Sequence, residues 1–241
     1  MTTVVDAGCY VFGIVPAGSP LPPADDAGLA ADLRLIASGD IAALIGRLPI
    51  DRPLGRAADL RAHDRVLSQL VSAGTPVLPM RFGAVVTDEG AVIEELLEPH
   101  RAEFVEALAA LRGRVQYSVK VRYEQEPVLR EVLAEHPEIR RLHGRDDAAA
   151  QVRLGELVVR ALERRRPGEA SAVLTELMGT VDVRVREVSA PDEVLDVAFL
   201  VDADQAPEFE RRVEEVAAAR AGRLRLRLVG PSAPYDFVGS G

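Results

Sequence analysis

The sequence predicts an α+β fold in two domains, and three observations predict it. Short apolar runs that alternate with polar residues recur along the chain, most plainly at residues 115–123. Stretches of helical period separate them. From residue 114 onward the order is strand, helices, strand, strand, helix, strand. A chain of 241 residues with 48% apolar content can bury sizeable cores. Only 4% of residues are aromatic and none is Trp, so those cores are packed with Val, Leu, Ile and Ala. No repeat of a fixed period is present, which excludes solenoids.

The elements follow in order. Residues 9–15 form a short apolar run stopped by a Pro- and Gly-rich stretch, hence a strand and then a loop to about residue 31. Residues 33–37 and 41–48 flank Ser38-Gly39-Asp40, a turn-forming cluster that predicts a hairpin. Residues 56–72 read as a helix with Leu60, His63, Leu67 and Leu70 or Val71 on one face, ended by Gly74 and Pro76. The next run, VLPMRFG at residues 77–83, occurs once, and two long amphipathic helices flank it. Alternation puts Leu78, Met80 and Phe82 on one face, and Pro79, which cannot donate to a ladder, places the strand at a sheet edge or a bulge. Asp88 is the expected cap of a helix running to about Leu111, kinked or split by Pro99 and stopped by Gly113.

In the strand at 115–123, Val115, Tyr117, Val119, Val121 and Tyr123 alternate with Gln116, Ser118, Lys120 and Arg122. Residues 126–178 read as three helical segments, with breaks at Pro137, at Gly144 with Asp146-Asp147, and at Pro167-Gly168. Strands follow at 181–188 and 195–201, then a helix at 207–220 and a strand in which Leu224, Leu226 and Leu228 alternate with Arg223, Arg225 and Arg227. This order is the split βαβ pattern of a ferredoxin-like domain with an enlarged helical crossover, in which the apolar strand at 195–201 takes a central place. The domains are then 1–87, a connecting helical region 88–113, and 114–241 with a docked Pro-rich tail.

Composition narrows the function. A formal charge of -9 opposes a general affinity for nucleic acid or anionic membrane. A single cysteine, Cys9, excludes an intrachain disulfide or a multi-cysteine metal cluster and suits a reducing cytoplasm; its apolar neighbours make it a core residue. No run reaches the ~18 apolar residues of a membrane span, and no leader pattern is visible, so the expected compartment is the cytoplasm. His63, His100, His136 and His143 show no metal-ligand spacing, and His63 falls on the apolar stripe of its helix. Asp202 and Asp204 are placed where carboxylates can hold a phosphate-bound metal, yet an Asp before Pro207 is also the ordinary helix cap. No nucleophile elbow or Gly-rich phosphate loop is present. The reading is therefore no enzyme, no cofactor and no metal. A metal-dependent enzyme resting on Asp202 and Asp204 is one alternative.

One constellation stands out. A ferredoxin-like sheet brings Lys120, Arg122, Arg184, Arg186, Arg223, Arg225 and Arg227 to one face, an expected docking surface for an acidic segment of a partner or of this protein's own first domain. A nucleic-acid-binding role is the second alternative, although Tyr117 and Tyr123 point to the opposite face and leave no base-stacking platform. The ending GPSAPYDFV, residues 230–238, is too Pro-rich for a helix and too apolar for a free tail, so it is expected to dock through Tyr235, Phe237 and Val238, either onto its own domain or onto a partner.

YVFGIV at 10–15, His63 with the helix residues to 67, VLPMRFG at 77–83, VKV at 119–121 and the GPSAPYDFV ending together resemble the gas vesicle protein GvpF/GvpL family over nearly the whole chain. Tyr117 stands where that family often has Trp, and Ser232 where Trp is common. The resemblance implies two α+β domains, the second a ferredoxin-like variant. It also implies a non-enzymatic accessory protein, associated with the gas vesicle, that contacts the hydrophobic shell protein GvpA and other gas vesicle accessory proteins during nucleation. A shell subunit apolar enough to wall off gas aggregates in water unless something covers it.

Overall fold

The computed structural model describes residues 7–23, 29–49, 53–143, 147–179 and 181–238. Its architecture is α+β, with two sheets and helices, and contacts divide the chain into two compact units. Unit 1 comprises Met1–Gln116, Asp202–Asp204 and Gly230–Gly241, and unit 2 comprises Tyr117–Val201 and Gln205–Val229.

In unit 1 the central strand is β1 (Ala7–Pro16), because its residues 9–15 are apolar and buried on both sides. It pairs antiparallel with β3 (Ile41–Pro49), which pairs in turn with β2 (Ala31–Ser38). The β2–β3 connection is the predicted hairpin. Gly39 sits at φ 62°, and a Cβ there would lie 2.7 Å from the Arg101 guanidinium, which donates to Ser38 Oγ at 2.6 Å. The first helix, α1 (Ala57–Ser72), begins with Asp59 accepting from the Arg56 backbone N–H at 3.1 Å. Its buried stripe is Ala62, His63, Val66, Leu67, Leu70 and Val71. Leu60 lies on the flank of that stripe and is half exposed, unlike the sequence-based placement.

The run at 77–83 is shorter as a strand than its alternation suggests. Only β4 (Leu78–Pro79) pairs with β1, at the sheet edge, and Met80 adds one further bond to the Phe12 carbonyl at 3.0 Å. Val77, Leu78 and Pro79 are all buried, so the alternation fails there. The chain then turns through Gly83 (φ 93°), and β5 (Val85–Val86) returns to β1 opposite Tyr10 and Cys9. Asp88 caps the next helix through the Ala91 N–H at 2.9 Å. That helix is split as Pro99 requires: α2 (Glu89–Ala91) passes into a π-helical turn (Val92–Leu97), and α3 (Arg101–Leu111) follows.

The second sheet consists of β6 (Arg114–Tyr123), β7 (Asp182–Arg186), β8 (Glu193–Asp202) and β9 (Leu224–Ser232), in the order β7-β8-β6-β9. β8 and β6 are central, and β8 is buried along nearly its whole length. In unit 2, Tyr117, Val119, Val121, Val197, Phe199 and Val201 are buried. α7 (Ala206–Ala219) covers part of that face through Phe209, whose ring centroid is 5.3 Å from Tyr117 and 5.0 Å from Phe199. Pro207 is in its first turn, but Gln205 occupies the cap position with no side-chain bond, so Asp204 is not the cap.

The crossover contains α4 (Gln125–Glu135), α5 (Pro137–Leu142) and α6 (Ala148–Leu177). Asp147 caps α6, accepting from Ala150 N–H at 2.8 Å, while Gly144 and Asp146 lie outside the described residues. Pro167 does not break α6. An internal proline costs a helix about 3 kcal/mol, and here both flanks are held. Arg165 bridges Glu131 and Glu135, Arg166 donates to the Ala190 and Pro191 carbonyls, and Glu169 meets Arg223 at 2.5 Å. No described helix is long and apolar enough to cross a membrane.

Candidate interaction sites

The register of unit 2 sets which side chains share a sheet face. Antiparallel pairing puts Arg186 opposite Asp196, Arg184 opposite Ala198 and Asp182 opposite Leu200. The face predicted to be basic therefore carries its own carboxylates. Asp196 receives Arg186 at 2.5 Å and Lys120 at 3.0 Å, and Arg186 also donates to Ser118 Oγ at 2.9 Å. Arg122 meets Glu193 at 2.7 Å and Asp192 at 3.7 Å. The backbone N–H groups of Ala190 and Ser189, with Arg122 adding to them, hold the Glu193 carboxyl below the usual range. Arg184 donates to the Val183 carbonyl at 3.3 Å.

β9 departs further from the expectation. Arg223 precedes the strand and is bound among helix carboxylates, Glu131 at 3.2 Å and Glu169 at 2.5 Å. Arg225 reaches Glu124 at 3.7 Å, and Arg227 is exposed with no ion-pair partner among the described residues. The predicted cluster is thus an interleaved lattice of both signs rather than seven uncompensated cations. The sequence could not show this, because Asp196 joins the lattice only through the β7–β8 register. Elsewhere in unit 2, an apolar groove of about 500 Å³ lies between α4 and α6, lined by Leu129, Leu154 and Val159 among others. Tyr123, which also lines it, has a buried hydroxyl with no hydrogen-bond partner among the described residues.

In unit 1 the structure assembles a site that no single motif predicts. A bulge shifts the β1–β3 register between Val11 and Gly13, and the Tyr10 and Phe12 rings come together at 4.8 Å. His63, on α1, packs against both: Phe12 is stacked on it at 14°, and Tyr10 and Phe82 meet it edge-on. The Gly83 N–H donates to Tyr10 Oη at 3.2 Å, which leaves the hydroxyl proton for His63 Nδ1 at 2.9 Å. With the hydroxyl donating to Nδ1, the neutral imidazole carries its proton on Nε2. Among the described residues Nε2 has no partner within hydrogen-bond geometry, while the Met80 backbone acts on the ring to raise its pKa. Burial dominates and lowers the His63 pKa to about 4.

The tail closes the site. After a cis Gly230-Pro231 bond, β9 ends at Ser232, Ala233 and Pro234 are buried, and a single 3-10 turn (Tyr235–Phe237) follows. Tyr235 lies 6.3 Å from the His63 ring. The residue is 36% exposed, yet burial, with Asp64 and Tyr10 adding, raises its hydroxyl pKa. The Asp236 carboxylate accepts from Gln116 Nε2 at 2.6 Å, the Asp236 N–H donates to Gln116 Oε1 at 3.1 Å, and Ser232 Oγ donates to the Gln116 carbonyl. Phe237 and Val238 are half-buried. Asp202 pairs with Arg114 at 3.1 Å, and no group of three His, Cys, Asp or Glu among the described residues is placed to hold a metal. Cys9 is buried, and burial raises its thiol pKa.

The segments that meet at His63 are four of the five quoted for the family resemblance: 10–15, the helix at 63–67, 77–83 and 230–238. Comparison with known proteins agrees. The model of the family described as "Gas vesicle synthesis protein GvpL/GvpF" matches residues 8–239. The chain is similar to gas vesicle protein F of Streptomyces sp. (strain CB03234), 35% identical over 95% of this chain and 98% of that one. It is also 35% identical to gas vesicle protein L of the same strain, over 86% of this chain and 83% of that one. The crystal structure of GvpF from Anabaena sp. PCC7120 superposes with a TM-score of 0.77 at 25% identity, covering 98% of this chain and 99% of that one.

Proposed function

The chain belongs to the GvpL/GvpF family of gas vesicle proteins, and from that premise we propose that it acts without catalysis, as an accessory protein that binds the shell protein GvpA during nucleation. In this reading it also binds other accessory proteins, keeps the shell protein from aggregating, and works in the cytoplasm and at the gas vesicle. The observation that carries the reading is the family match across residues 8–239, both units included. The physical need supports it: an apolar wall subunit must be covered or organised before it assembles.

The reading extends to architecture and surface. The order β7-β8-β6-β9, with two helical crossovers, supports a ferredoxin-like variant for the domain at 114–241, beside a domain at 1–87 and the connecting region 88–113. The candidate contact residues are the exposed cations Lys120, Arg122, Arg184, Arg225 and Arg227, with Arg186 and Arg223 as their braced neighbours, and Tyr235 and Phe237 of the tail. The carboxylates among those cations weigh against a nucleic-acid reading.

Deleting the gene in a vesicle-forming host is expected to abolish or distort the vesicles, with wild-type protein restoring them. A Lys120→Glu/Arg122→Glu variant that folds normally is expected to capture less GvpA when the two are co-expressed, and added salt to weaken the wild-type complex. Buoyant, normal vesicles in the deletion strain would overturn the proposal.

A further inference from the structure

We propose that the outer edge of β9, along residues 224–229, is a strand-addition site for an extended partner segment with acidic residues at alternate positions and apolar residues between them. β9 is last in the order β7-β8-β6-β9, so no strand among the described residues pairs with that edge. Among the described residues, no backbone hydrogen bond outside the sheet engages residues 225–229. A row of unpaired N–H and C=O groups on a strand of this length is a template for another strand.

The side chains state which strand fits. Arg225 and Arg227 stand on one face; the Arg225 side chain is 67% exposed with its one carboxylate at 3.7 Å, and Arg227 has none among the described residues. Leu226 and Leu228, on the other face, are half-buried, and Val229 is 44% exposed. An added strand places its residues opposite these with the same alternation. Carboxylates then meet the arginines and apolar side chains extend the leucine row.

The same arginines exclude a second copy of this chain. Two β9 edges paired about a two-fold axis put arginines opposite arginines, and like charges directly opposite destabilise a pair. β7, the other outer strand, fits less well: it has five residues and Arg186 is already committed to Asp196 and Ser118. The inference goes beyond the proposed function, since it specifies a backbone-mediated mode and a partner chemistry whichever protein supplies the segment.

The probe is a labelled nine-residue peptide alternating Val and Glu, titrated into the full chain by fluorescence anisotropy, with amide hydrogen exchange read along residues 224–229. Saturable binding that slows exchange there at least tenfold is expected, and a Val/Lys peptide is expected to bind at least tenfold more weakly. Peptides N-methylated at only the Val or only the Glu positions, tested on wild-type protein, must include one that loses binding at least tenfold. An Arg225→Glu/Arg227→Glu variant is expected to exchange the preference in favour of the Val/Lys peptide. Absent binding, unchanged exchange in β9, equal binding of both N-methylated peptides, or a wild-type dimer dissolved by that variant would each overturn the proposal.

Discussion

Around His63, two polar side chains are closed inside a shell of rings, whereas on the unit 2 sheet Lys120, Arg122 and Arg186 meet Asp196 and Glu193 with much of their length in water. The geometry of the bonds is similar in the two regions, near 3 Å, but the surroundings are not. Water at the sheet surface replaces whatever a lost partner supplied, so each pair there contributes little. Nothing replaces the Tyr10 hydroxyl or the neutral imidazole in unit 1. The comparison teaches that position relative to solvent, more than the number of charges, decides where this protein is fragile.

The largest test removes a wall of the cluster. Phe12→Ala deletes a fully buried ring stacked on His63 and is expected to cost about 3–5 kcal/mol in denaturant unfolding of unit 1. A loss below about 1 kcal/mol would break the comparison. Acid comes next. The His63 pKa of about 4 lies below the unfolded value near 6.5, so the unfolded chain binds more protons between those limits. Stability from this residue is full above about pH 6.5 and declines as pH falls toward 4, by about 3 kcal/mol in total. Unfolding titrations should show that slope in the wild type and a shallower one in His63→Gln.

Smaller is Tyr10→Phe, which leaves His63 Nδ1 and the Gly83 N–H unpaired at the cost of one oxygen, about 1–3 kcal/mol. Smallest is the sheet surface. Asp196→Ala, which releases both Lys120 and Arg186, is expected to cost about 1 kcal/mol, and Lys120→Ala within about 0.5 kcal/mol of nothing. A larger loss for Lys120→Ala than for Tyr10→Phe, in the same denaturant assay, would reverse the ranking of the two regions.

Much of the fold was legible because local chemistry decided it. Gly39 required its turn, Pro99 split its helix, and the alternation of 115–123 survives as the buried row of β6. Where tertiary contacts decide, local signals misled. Pro167 sits inside α6 because Arg165, Arg166 and Glu169 hold the helix on both sides. The strand at 77–83 stops at Pro79 because β1 is followed for only two ladder pairs before the chain turns. For the sites, His63 and Tyr235 could each be singled out in the sequence, but their meeting could not. Nor could the neutralising role of Asp196, which depends on a strand register.

The docking of residues 230–238 into unit 1 orders events during synthesis. The Gln116–Asp236 bonds join residues 120 apart, and Tyr235 reaches the first long helix only after all of unit 2 has left the ribosome. The first unit to emerge is therefore the last to be finished. A chain stalled before residue 230 has every strand of the first sheet and lacks the segment that shelters His63. Such closure of distant segments is slow relative to local pairing. Proteolytic sampling of arrested nascent chains would register the last step as a gain of resistance within residues 57–83, arriving only when the final turn is released.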